Sequence, residues 1–313
     1  MEKKLLSLII PVYNEENSIY EFISYLVNKF DKSEILLKFK IEIIVIDDGS
    51  NDNTKKILYD LKKKYYEIKI IIFSKNFGKE AALTAGIDLC SGDIVVPIDV
   101  DFQDDPDIIF DLVKKYEDGF DMVLAQRIVR NEFLIKKILS NFFYILFNLL
   151  SDQKIPNNVG DFRLISKKVI NSIKLYREKN RFMKGIFSNV GFKTTTVPYI
   201  RNERKIGIPK QSFKKLFQLA FDAILNYSTV PLKIIFILGI IISALSFLFG
   251  IYIGFKKILY NIDTPGWTTI ICTLTFLSGI QMLSIGVIGM YISKIYLESK
   301  NRPIYIISEK NGF

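Results

Sequence analysis

The chain contains no histidine among its 313 residues. Imidazole is therefore excluded both as a metal ligand and as the acid or base of a catalytic mechanism. Only two cysteines are present, Cys90 and Cys272, and they lie far apart in unlike contexts. A disulfide scaffold and a cysteine-based zinc site are therefore not expected. Any chemistry must rely on carboxylates, hydroxyls, phosphates, lysine and arginine.

The sequence also lacks the Gly-x-Gly-x-x-Gly pattern and the Walker phosphate loop. These absences argue against dinucleotide binding and against ATP hydrolysis. The charged residues are 43 Lys and Arg against 33 Asp and Glu, a formal net charge of +10. No nucleic-acid partner is expected, and the informative basic residues are those that flank the apolar segments described below.

What the sequence does contain, over roughly its first 230 residues, is a regular alternation of short apolar strands and amphipathic helices. This rhythm predicts an α/β fold with a Rossmann-like, mostly parallel sheet that has helices on both faces. The predicted strands are Leu5–Val12, Ile41–Asp47, Ile68–Ser74, Asp93–Ile98 and Asp121–Ala125; the predicted helices are Glu15–Phe30, Asp52–Lys64, Lys79–Leu89 and Pro106–Tyr116.

Two carboxylates follow the fourth predicted strand. Asp99 and Asp101 are alternate residues of an extended chain, so their side chains point to the same side. A hard divalent cation suits such a pair of oxygen ligands. The alternative is that acidic residues at a strand end are only solvated or cap the next helix. That alternative fits Asp105 best, because Asp105 precedes Pro106 at a predicted helix start.

Three polar motifs fall at carboxyl ends of predicted strands, and such ends form the ligand-binding edge of a parallel sheet. Each motif alone could be ordinary turn chemistry. Their occurrence at one edge favours a binding site. The motifs are residues 11–16 (Pro-Val-Tyr-Asn-Glu-Glu), 47–52 (Asp-Asp-Gly-Ser-Asn-Asp) and 99–101 (Asp-Val-Asp).

Two long apolar runs, about 232–255 and 268–292, each exceed the roughly 20 residues that a helix needs to cross a bilayer. The connector between them is short, so the two runs predict a transmembrane hairpin with both ends on one side. More basic residues flank the hairpin than lie in its connector, which favours both ends in the cytoplasm. We therefore expect a multi-pass protein of the inner membrane whose N-terminal domain faces the cytoplasm.

Residues 133–150 and the segment that begins at Ser212 combine apolar residues at helical spacing with polar and basic residues. They predict helices at the membrane interface, where lysines could meet anionic lipid; the alternative is that they pack on the soluble core. The predicted organisation is an N-terminal α/β domain at 1–211, a juxtamembrane helix at 212–231, the hairpin at 232–293 and a cytoplasmic tail at 294–313. Small residues in the second span suit helix–helix packing and are compatible with a homo-oligomer.

An ordered set of motifs resembles the GT-A, family 2 inverting glycosyltransferases. More narrowly, the set resembles the polyprenyl-phosphate glycosyltransferases, the dolichol-phosphate mannose synthase and bactoprenol glucosyltransferase group, over nearly the whole chain. The resemblance implies a GT-A catalytic domain that is followed by interfacial helices and a two-helix membrane hairpin. The motifs are Pro11–Glu16, Asp47–Ser50, Lys75–Lys79, Asp99–Asp104, Gly160–Leu164, Arg181–Gly185 and Arg302–Tyr305.

The resemblance implies roles for individual residues. A nucleotide-sugar would be bound by Pro11, Tyr13, Glu15, Asp48, Asp99, Val100, Asp101, Arg204 and Lys210. A Mg2+ or Mn2+ ion would be held by Asp99, Asp101 and Gln103. The phosphate of a polyprenyl, undecaprenyl-type acceptor would be bound by Arg127 and Lys137. Asp161, Asp101 and Arg127 would be the catalytic residues.

Two departures from the family pattern bear on these roles. Residues 207–211 read Gly-Ile-Pro-Lys-Gln where the family commonly has Gly-x-Ser-Lys-Tyr, which weakens the role of Lys210. Lys137 stands where an arginine is frequent, so the charge is kept without bidentate geometry. The Gln-x-x-Arg-Trp motif of processive synthases is absent, which favours transfer of a single sugar.

The predicted reaction is an inverting transfer of one sugar, with a UDP-sugar favoured as donor, to a polyprenyl phosphate. A phosphate monoester has a second pKa near ~6, so this acceptor is largely ionised and needs little help from a base. Asp161 is accordingly predicted to position groups more than to remove a proton. The alternatives are a membrane glycosyltransferase that acts on a sugar hydroxyl or elongates a glycan, and a non-catalytic membrane scaffold.

Overall fold

The computed structural model describes residues 3–33, 38–128, 158–179, 181–201, 228–260 and 266–313. These residues form two compact units. The sheet unit comprises the described residues up to 201 together with Arg302–Phe313, and the hairpin unit comprises those from 228 to 301. The predicted interfacial segment at 133–150 and most of the one at 212–231 lie outside the described residues.

Eight described strands form one sheet, in the order β7-β5-β6-β4-β1-β2-β3-β8. Their bounds are Lys4–Val12 (β1), Phe39–Asp47 (β2), Ile68–Phe73 (β3), Ile94–Pro97 (β4), Met122–Ile128 (β5), Val159–Ser166 (β6), Thr194–Ile200 (β7) and Ile307–Asn311 (β8). The described helices are Ile19–Asp31 (α1), Thr54–Lys64 (α2), Lys79–Leu89 (α3), Ile108–Glu117 (α4), Lys167–Ile173 (α5), Met183–Asn189 (α6), Val230–Tyr260 (α7) and Trp267–Ser299 (α8).

The central strands are parallel, and helices cover both of their faces. β1 pairs in parallel with β2 and β4, and β2 pairs in parallel with β3. Because both faces of such a strand are buried, its sequence is a nearly continuous apolar run. Leu8 faces one buried cluster with Phe22 of α1, and its neighbour Ile9 faces the other cluster with Ala82 of α3. The predicted α/β fold with a mostly parallel sheet is confirmed.

Two strands run against the rest. β6 is antiparallel to β4 and β5, and β8 is antiparallel to β3. The direction of β6 has a functional consequence, because its first residues lie at the edge where the parallel strands end. Asp161 is near the start of β6 and therefore shares an edge with the residues that follow β4.

The structure places more order in residues 294–313 than the predicted tail implied. The second hairpin helix continues to Ser299, and Ile307–Asn311 forms the edge strand β8 of the sheet unit. Tyr305 stacks on Phe73 of β3, with ring centroids 5.3 Å apart and planes 8° apart. The sequence of β8 is mostly polar because one side of an edge strand faces solvent, and this is why no strand was predicted there.

The hairpin unit contains two helices that are long and apolar enough to cross a membrane, Val230–Ile253 and Thr269–Ser299. Their large apolar side chains point outward: Phe247 is 70% exposed and Leu283 is 74% exposed. A water-soluble surface rarely carries so continuous an apolar face, whereas lipid suits it. Within the unit, the Tyr291 hydroxyl donates to the carbonyl of Ser228 at 2.7 Å.

Candidate active site

The first two loops at the carboxyl edge of the sheet are joined by hydrogen bonds. The amide of Asn14 donates to Ser50 Oγ at 2.9 Å, and the amide of Asn51 donates to Asn14 Oδ1 at 2.9 Å. Asn14 has a positive φ of 54°, a conformation that asparagine tolerates better than most residues. The amide of Glu15 donates to Thr54 Oγ1 at 2.9 Å. The residues predicted to hold a nucleotide therefore belong to one cross-linked edge.

Asp48 holds the loop that follows β3. Its two carboxylate oxygens accept hydrogen bonds from the amides of Phe77 (2.7 Å) and Gly78 (2.8 Å). Burial raises the pKa of Asp48, and these two amides oppose that rise. Gly78 precedes α3, whose first residue is Lys79. In the structure the oxygens of Asp48 hold the loop that leads to Lys79. The predicted contact of Asp48 with a nucleotide stays a prediction.

Gly49 allows the loop that follows β3 to come close enough to bond to Asp48. Its φ is +70°, and a Cβ at this position would lie 2.5 Å from the carbonyl carbon of Lys75. Backbone atoms cannot move away as the end of a side chain can. The Asp-Asp-Gly-Ser motif therefore requires glycine both for its conformation and for the close approach of a second chain segment.

Lys79 joins the two carboxylates that the sequence placed in separate motifs. Its ammonium lies 2.7 Å from Asp99 Oδ2 and 3.0 Å from Asp161 Oδ2. The other oxygen of Asp161 is buried and has no hydrogen bond within the part of the chain that the structure describes. Asp99, predicted for the donor and metal, and Asp161, predicted for the acceptor side, therefore meet at one cation.

The charges of this trio stabilise the ionised forms of Lys79 and Asp161. Burial opposes the charge of Lys79, but Asp99 and Asp161 outweigh it and raise the pKa of Lys79. Burial likewise opposes the charge of Asp161, yet Lys79, Lys184 and Arg163 lower its pKa. Asp99 differs, because burial raises its pKa despite the contact with Lys79. Asp161 is therefore an ionised group and a weak base.

A tight turn follows Asp99. Phe102 has a φ of +55°, an uncommon conformation for a bulky residue. Its ring packs edge-on against Phe22, with centroids 5.1 Å apart, and against Tyr25 at 6.0 Å. The amide of Gln103 donates to Asp101 Oδ1 at 3.1 Å. The packing of Phe102 thus holds Asp101 and Gln103 in a strained turn, a feature that is common at functional sites.

These residues offer oxygen ligands only. Among the described residues, no group of three or more acidic, cysteine or histidine side chains is arranged to hold a metal ion. Two carboxylates, Asp99 and Asp101, and the side-chain amide oxygen of Gln103 suit a hard divalent cation. Because these three groups fill only part of a coordination sphere, they suit an ion that also binds water or substrate oxygens, as Mg2+ usually does.

Arg127, on β5, belongs to a second polar network of the site. Its Nε donates to the Tyr199 hydroxyl at 3.1 Å, and its Nη2 lies 3.6 Å from Asp104 Oδ2. The Tyr199 hydroxyl donates to Asp104, and Arg201 Nε lies 3.4 Å from the same carboxylate. Burial opposes the charge of Arg127, but Asp104 raises its pKa. Asp104 and Tyr199 therefore hold the Arg127 guanidinium in position, and its predicted role in binding the acceptor phosphate stays a prediction.

The predicted site residues have different outcomes. Val100 is buried, and Pro11, Tyr13 and Glu15 are partly buried at the edge. Lys137, Arg204 and Lys210 lie outside the described residues. Asp105 accepts a hydrogen bond from the amide of Asp107 at 3.0 Å, and helix α4 begins at Ile108, two residues later than predicted. The ligand-binding roles of Pro11, Tyr13, Glu15, Val100, Lys137, Arg204 and Lys210 stay predictions.

Sequence reasoning gave no role to several residues that the structure brings to the site. The Lys75–Lys79 motif was recognised, but its contact with Asp161 depends on the direction of β6. Asp104 and Tyr199 are far apart in sequence and meet only in the sheet. A signal was present in residues 181–185, which matched the family pattern without a role. The residues that reasoning missed are Lys79, Glu80, Asp104, Tyr199, Arg201, Arg163 and Lys184.

Comparison with known proteins identifies the family of the chain. Residues 7–174 match the sequence profile of Glycosyl transferase family 2. An uncharacterized glycosyltransferase of Synechocystis sp. is 42% identical over 310 residues, 98% of this chain and 96% of that protein. A bactoprenol glucosyl transferase of Shigella phage SfV is 42% identical over 306 residues, 97% of this chain and 98% of that protein. A prophage bactoprenol glucosyl transferase homolog of Escherichia coli K12 is 42% identical over 303 residues.

Solved structures resemble the chain more distantly. Glucosyl-3-phosphoglycerate synthase from Mycobacterium tuberculosis, solved with Mn2+, uridine-diphosphate-glucose and phosphoglyceric acid, is 18% identical with a TM-score of 0.47. The match covers 71% of this chain and 78% of that chain. A likeness of this size carries no argument about ligands. The profile covers more than half of the chain and the relatives cover nearly all of it; the chain belongs to glycosyl transferase family 2.

Proposed function

We propose that this glycosyltransferase transfers a single sugar from a nucleotide-sugar to a polyprenyl phosphate, with inversion at the anomeric carbon. A UDP-sugar is the favoured donor. The relatives named bactoprenol glucosyl transferase match it over nearly their whole length, which supports a lipid-phosphate acceptor and makes glucose the first sugar to test.

The observation that carries the proposal is the bridge formed by Lys79. A carboxylate next to the donor motif, Asp99, and a carboxylate at the start of β6, Asp161, lie on the same ammonium group. Donor and acceptor must meet at one point for a direct displacement. We take the bridge, at the carboxyl edge of the sheet, as that point, where the Lys79 ammonium would stabilise negative charge.

The acceptor accounts for the absence of a strong base. The described site has no histidine, and the pKa of Asp161 is lowered by the cations Lys79, Lys184 and Arg163 although burial opposes this. Such a carboxylate is a poor base for a sugar hydroxyl. A phosphate monoester is already mostly ionised at neutral pH because its second pKa is about 6. The chain's residues then need only orient the acceptor and neutralise charge.

We further propose that the carboxylates of Asp99 and Asp101 and the side-chain amide oxygen of Gln103 would hold Mg2+ or Mn2+. Oxygens of the donor diphosphate would be further ligands. When bound, the cation supplies charge neutralisation on the departing diphosphate. Asp101 lies in the turn at Phe102, where its Oδ1 accepts the backbone amide of Gln103, and Lys79 contacts Asp99. The strained φ of Phe102 and the oxygen-only ligand set support this assignment.

The proposal places the protein in the inner membrane, with the sheet unit in the cytoplasm. The two long apolar helices support a membrane anchor. A membrane anchor would keep the enzyme where a polyprenyl phosphate resides. The sheet unit would then receive a soluble nucleotide-sugar from the cytoplasm and the lipid phosphate from the bilayer surface.

The test is transfer in isolated membranes that contain the expressed protein. Radiolabelled UDP-glucose and undecaprenyl phosphate are added with Mg2+ or Mn2+, and the organic extract is analysed for a labelled lipid. A mild-acid-labile, singly glycosylated lipid phosphate is expected. Labelled UDP-galactose, UDP-N-acetylglucosamine and GDP-mannose, run in parallel, identify the preferred donor.

The control is Asp101→Ala, which should insert into the membrane normally and abolish metal-dependent transfer. Full transfer by Asp101→Ala would overturn the metal assignment. Label in a water-soluble polymer, with none in the organic extract, would overturn the lipid-phosphate acceptor and favour a transferase that elongates a glycan.

A further inference from the structure

Lys184 is a partly buried cation whose ammonium group contacts no carboxylate of the described residues. Within the described residues, no carboxylate oxygen lies within 4.0 Å of its ammonium group, and the structure gives that group no hydrogen bond. The neighbouring cations differ in this respect. Lys79 has Asp99 and Asp161, Arg127 has Asp104, and Arg163 donates to the carbonyl of Gly160 at 2.5 Å.

The position of Lys184 is fixed by the residue before it. The amide of Met183 donates to Glu80 Oε2 at 2.7 Å, and the side chain of Met183 is fully buried. The Met183 sulfur also accepts the Thr84 hydroxyl at 3.9 Å. Glu80 and Thr84 both belong to α3, the helix that begins at Lys79. The segments that carry Lys79 and Lys184 are therefore joined by hydrogen bonds.

The surroundings of Lys184 are poor in compensating charge. Burial lowers the pKa of Lys184, and Arg127, Arg163 and Lys79 add to the lowering. Asp161 opposes them, but Lys79 is already in contact with Asp161. A partly buried cation that has no anion in direct contact is costly to fold, and an arriving anion would lower that cost.

We propose that Lys184 binds the phosphate group that reacts at this site, and that Glu80 is the positioning residue that holds Lys184 there. The assignment rests on the proposed function and gives it a phosphate-binding residue that the sequence did not single out. An ammonium group forms charge-assisted hydrogen bonds with phosphate oxygens. These oxygens can come from the acceptor lipid or from the donor diphosphate, and the experiment separates these two sources.

The experiment compares Lys184→Met with Lys184→Arg in the full-length protein in detergent micelles. Two quantities are measured: the KM for undecaprenyl phosphate and the Kd of UDP. Loss of one charge-assisted bond should weaken one of them about 10- to 100-fold. A raised KM identifies the acceptor phosphate as the ligand, and a raised Kd identifies the donor diphosphate. Lys184→Arg should retain most of the affinity because it keeps the charge.

Variants of Glu80 are tested by measuring the same KM and Kd. Glu80→Gln keeps an oxygen that accepts the Met183 amide, whereas Glu80→Ala removes it. Glu80→Ala should therefore weaken the constant that Lys184→Met weakens, and Glu80→Gln should weaken it less. A change in kcat alone, with both binding constants unaltered, would contradict the positioning role.

The matched control is Lys193→Met, which removes an exposed lysine that lies over the ring of Phe120. Lys193→Met should leave both the KM and the Kd at their wild-type values. If Lys184→Met also leaves both unchanged, the proposal is overturned. Thermal unfolding of each variant shows whether it is folded, and Lys184→Gln replaces Lys184→Met if the latter unfolds. If the wild type glycosylates no lipid phosphate, the proposed function fails, while the comparison of UDP binding still decides on Lys184.

Discussion

At the scale of single residues, the two glycines with positive φ at positions 49 and 119 offer a controlled comparison. Gly119→Ala should cost about 1–2 kcal/mol of unfolding free energy from backbone strain, because nothing lies within 4 Å of the new Cβ. Gly49→Ala should cost about 1–3 kcal/mol more, because its Cβ would overlap the backbone of Lys75. Chemical unfolding of both variants measures the difference. Equal losses would show that the close approach at Gly49 is not important.

A second residue-scale prediction concerns the charge of Asp161. Its pKa is lowered, because Lys79, Lys184 and Arg163 outweigh the effect of burial. A lowered carboxyl pKa means that Asp161 stays ionised throughout the neutral pH range. Asp161 should therefore contribute no ionisation to the activity profile near neutral pH. Asp161→Asn should lower kcat while the shape of the pH profile stays the same.

The measurement is kcat and KM of Asp161→Asn and wild type from pH 5.5 to 9, at saturating metal ion. If the variant lacks an ionisation that the wild type shows, and still binds the acceptor normally, Asp161 is a general base. That result would also favour a hydroxyl acceptor, since a phosphate has no need of the base.

At the scale of elements, the hydrogen bond from Met183 to Glu80 ties α6 to α3, and the free energy of unfolding should depend on pH through Glu80. Burial, with a smaller contribution from Asp161, raises the pKa of Glu80 from 4.5 to about 7, against the effects of Met183, Lys79 and Lys184. Between these values the folded chain holds a proton that the unfolded chain has lost. Stability due to Glu80 therefore falls as pH rises from about 4.5 to about 7, by at most about 3 kcal/mol.

Glu80→Gln should remove this slope. The measurement is the Tm at pH 5 and at pH 8; the difference between the two should be smaller in Glu80→Gln than in wild type. Glu117→Gln, which alters an exposed carboxylate paired with Lys38, serves as the control and should keep the slope of the wild type. An unchanged slope in Glu80→Gln would contradict the raised pKa.

A second element-scale prediction concerns the attachment of β8 to the sheet. Tyr305 stacks on Phe73, and its hydroxyl donates to Asp88 Oδ2 at 2.9 Å. Tyr305→Phe keeps the stacking and should cost about 1–2 kcal/mol for the lost hydrogen bond. Tyr305→Ala loses both contacts and should cost about 2–4 kcal/mol. Unfolding of both variants tests this; equal losses would show that the stacking contributes nothing.

The elements also show which parts of the fold could be predicted. β1 to β4 are buried on both faces, so they read as apolar runs, and helix α3 was predicted with its observed bounds. β6 contains Asp161 and Arg163, and β8 is mostly polar, so neither has an apolar run. The edge positions of Asp99 and Asp101 followed from strand periodicity. The contact between Lys79 and Asp161 did not, because it depends on a strand whose direction the sequence pattern does not reveal.

At the scale of the whole molecule, two apolar helices lie between residues that belong to the same sheet unit, Arg201 and Arg302. If both helices cross the membrane, the chain must return to the side from which it left. Basic residues near both ends, including Lys233, Lys294 and Lys300, favour the cytoplasmic side. The connector around Asp263 should then lie on the opposite side.

Single cysteines at Asp263 and at Ser308, in a chain with Cys90 replaced by alanine and Cys272 by serine, test this arrangement. Asp263→Cys should react with a membrane-impermeant thiol reagent in intact spheroplasts. Ser308→Cys, on the exposed side of β8, should react only after lysis. Reaction of both cysteines in intact spheroplasts would contradict the hairpin, and the reverse pattern would invert its orientation.

The place of β8 in the chain has a consequence for biosynthesis. β8 follows both apolar helices and pairs with β3, an almost wholly apolar strand. A ribosome therefore completes the two helices before it makes the strand that protects β3. Until then β3 presents unpaired backbone groups, and such an edge invites association with other chains. Prompt delivery of the nascent chain to the bilayer would shorten this exposure, so a delay in membrane insertion should increase aggregation of the newly made enzyme.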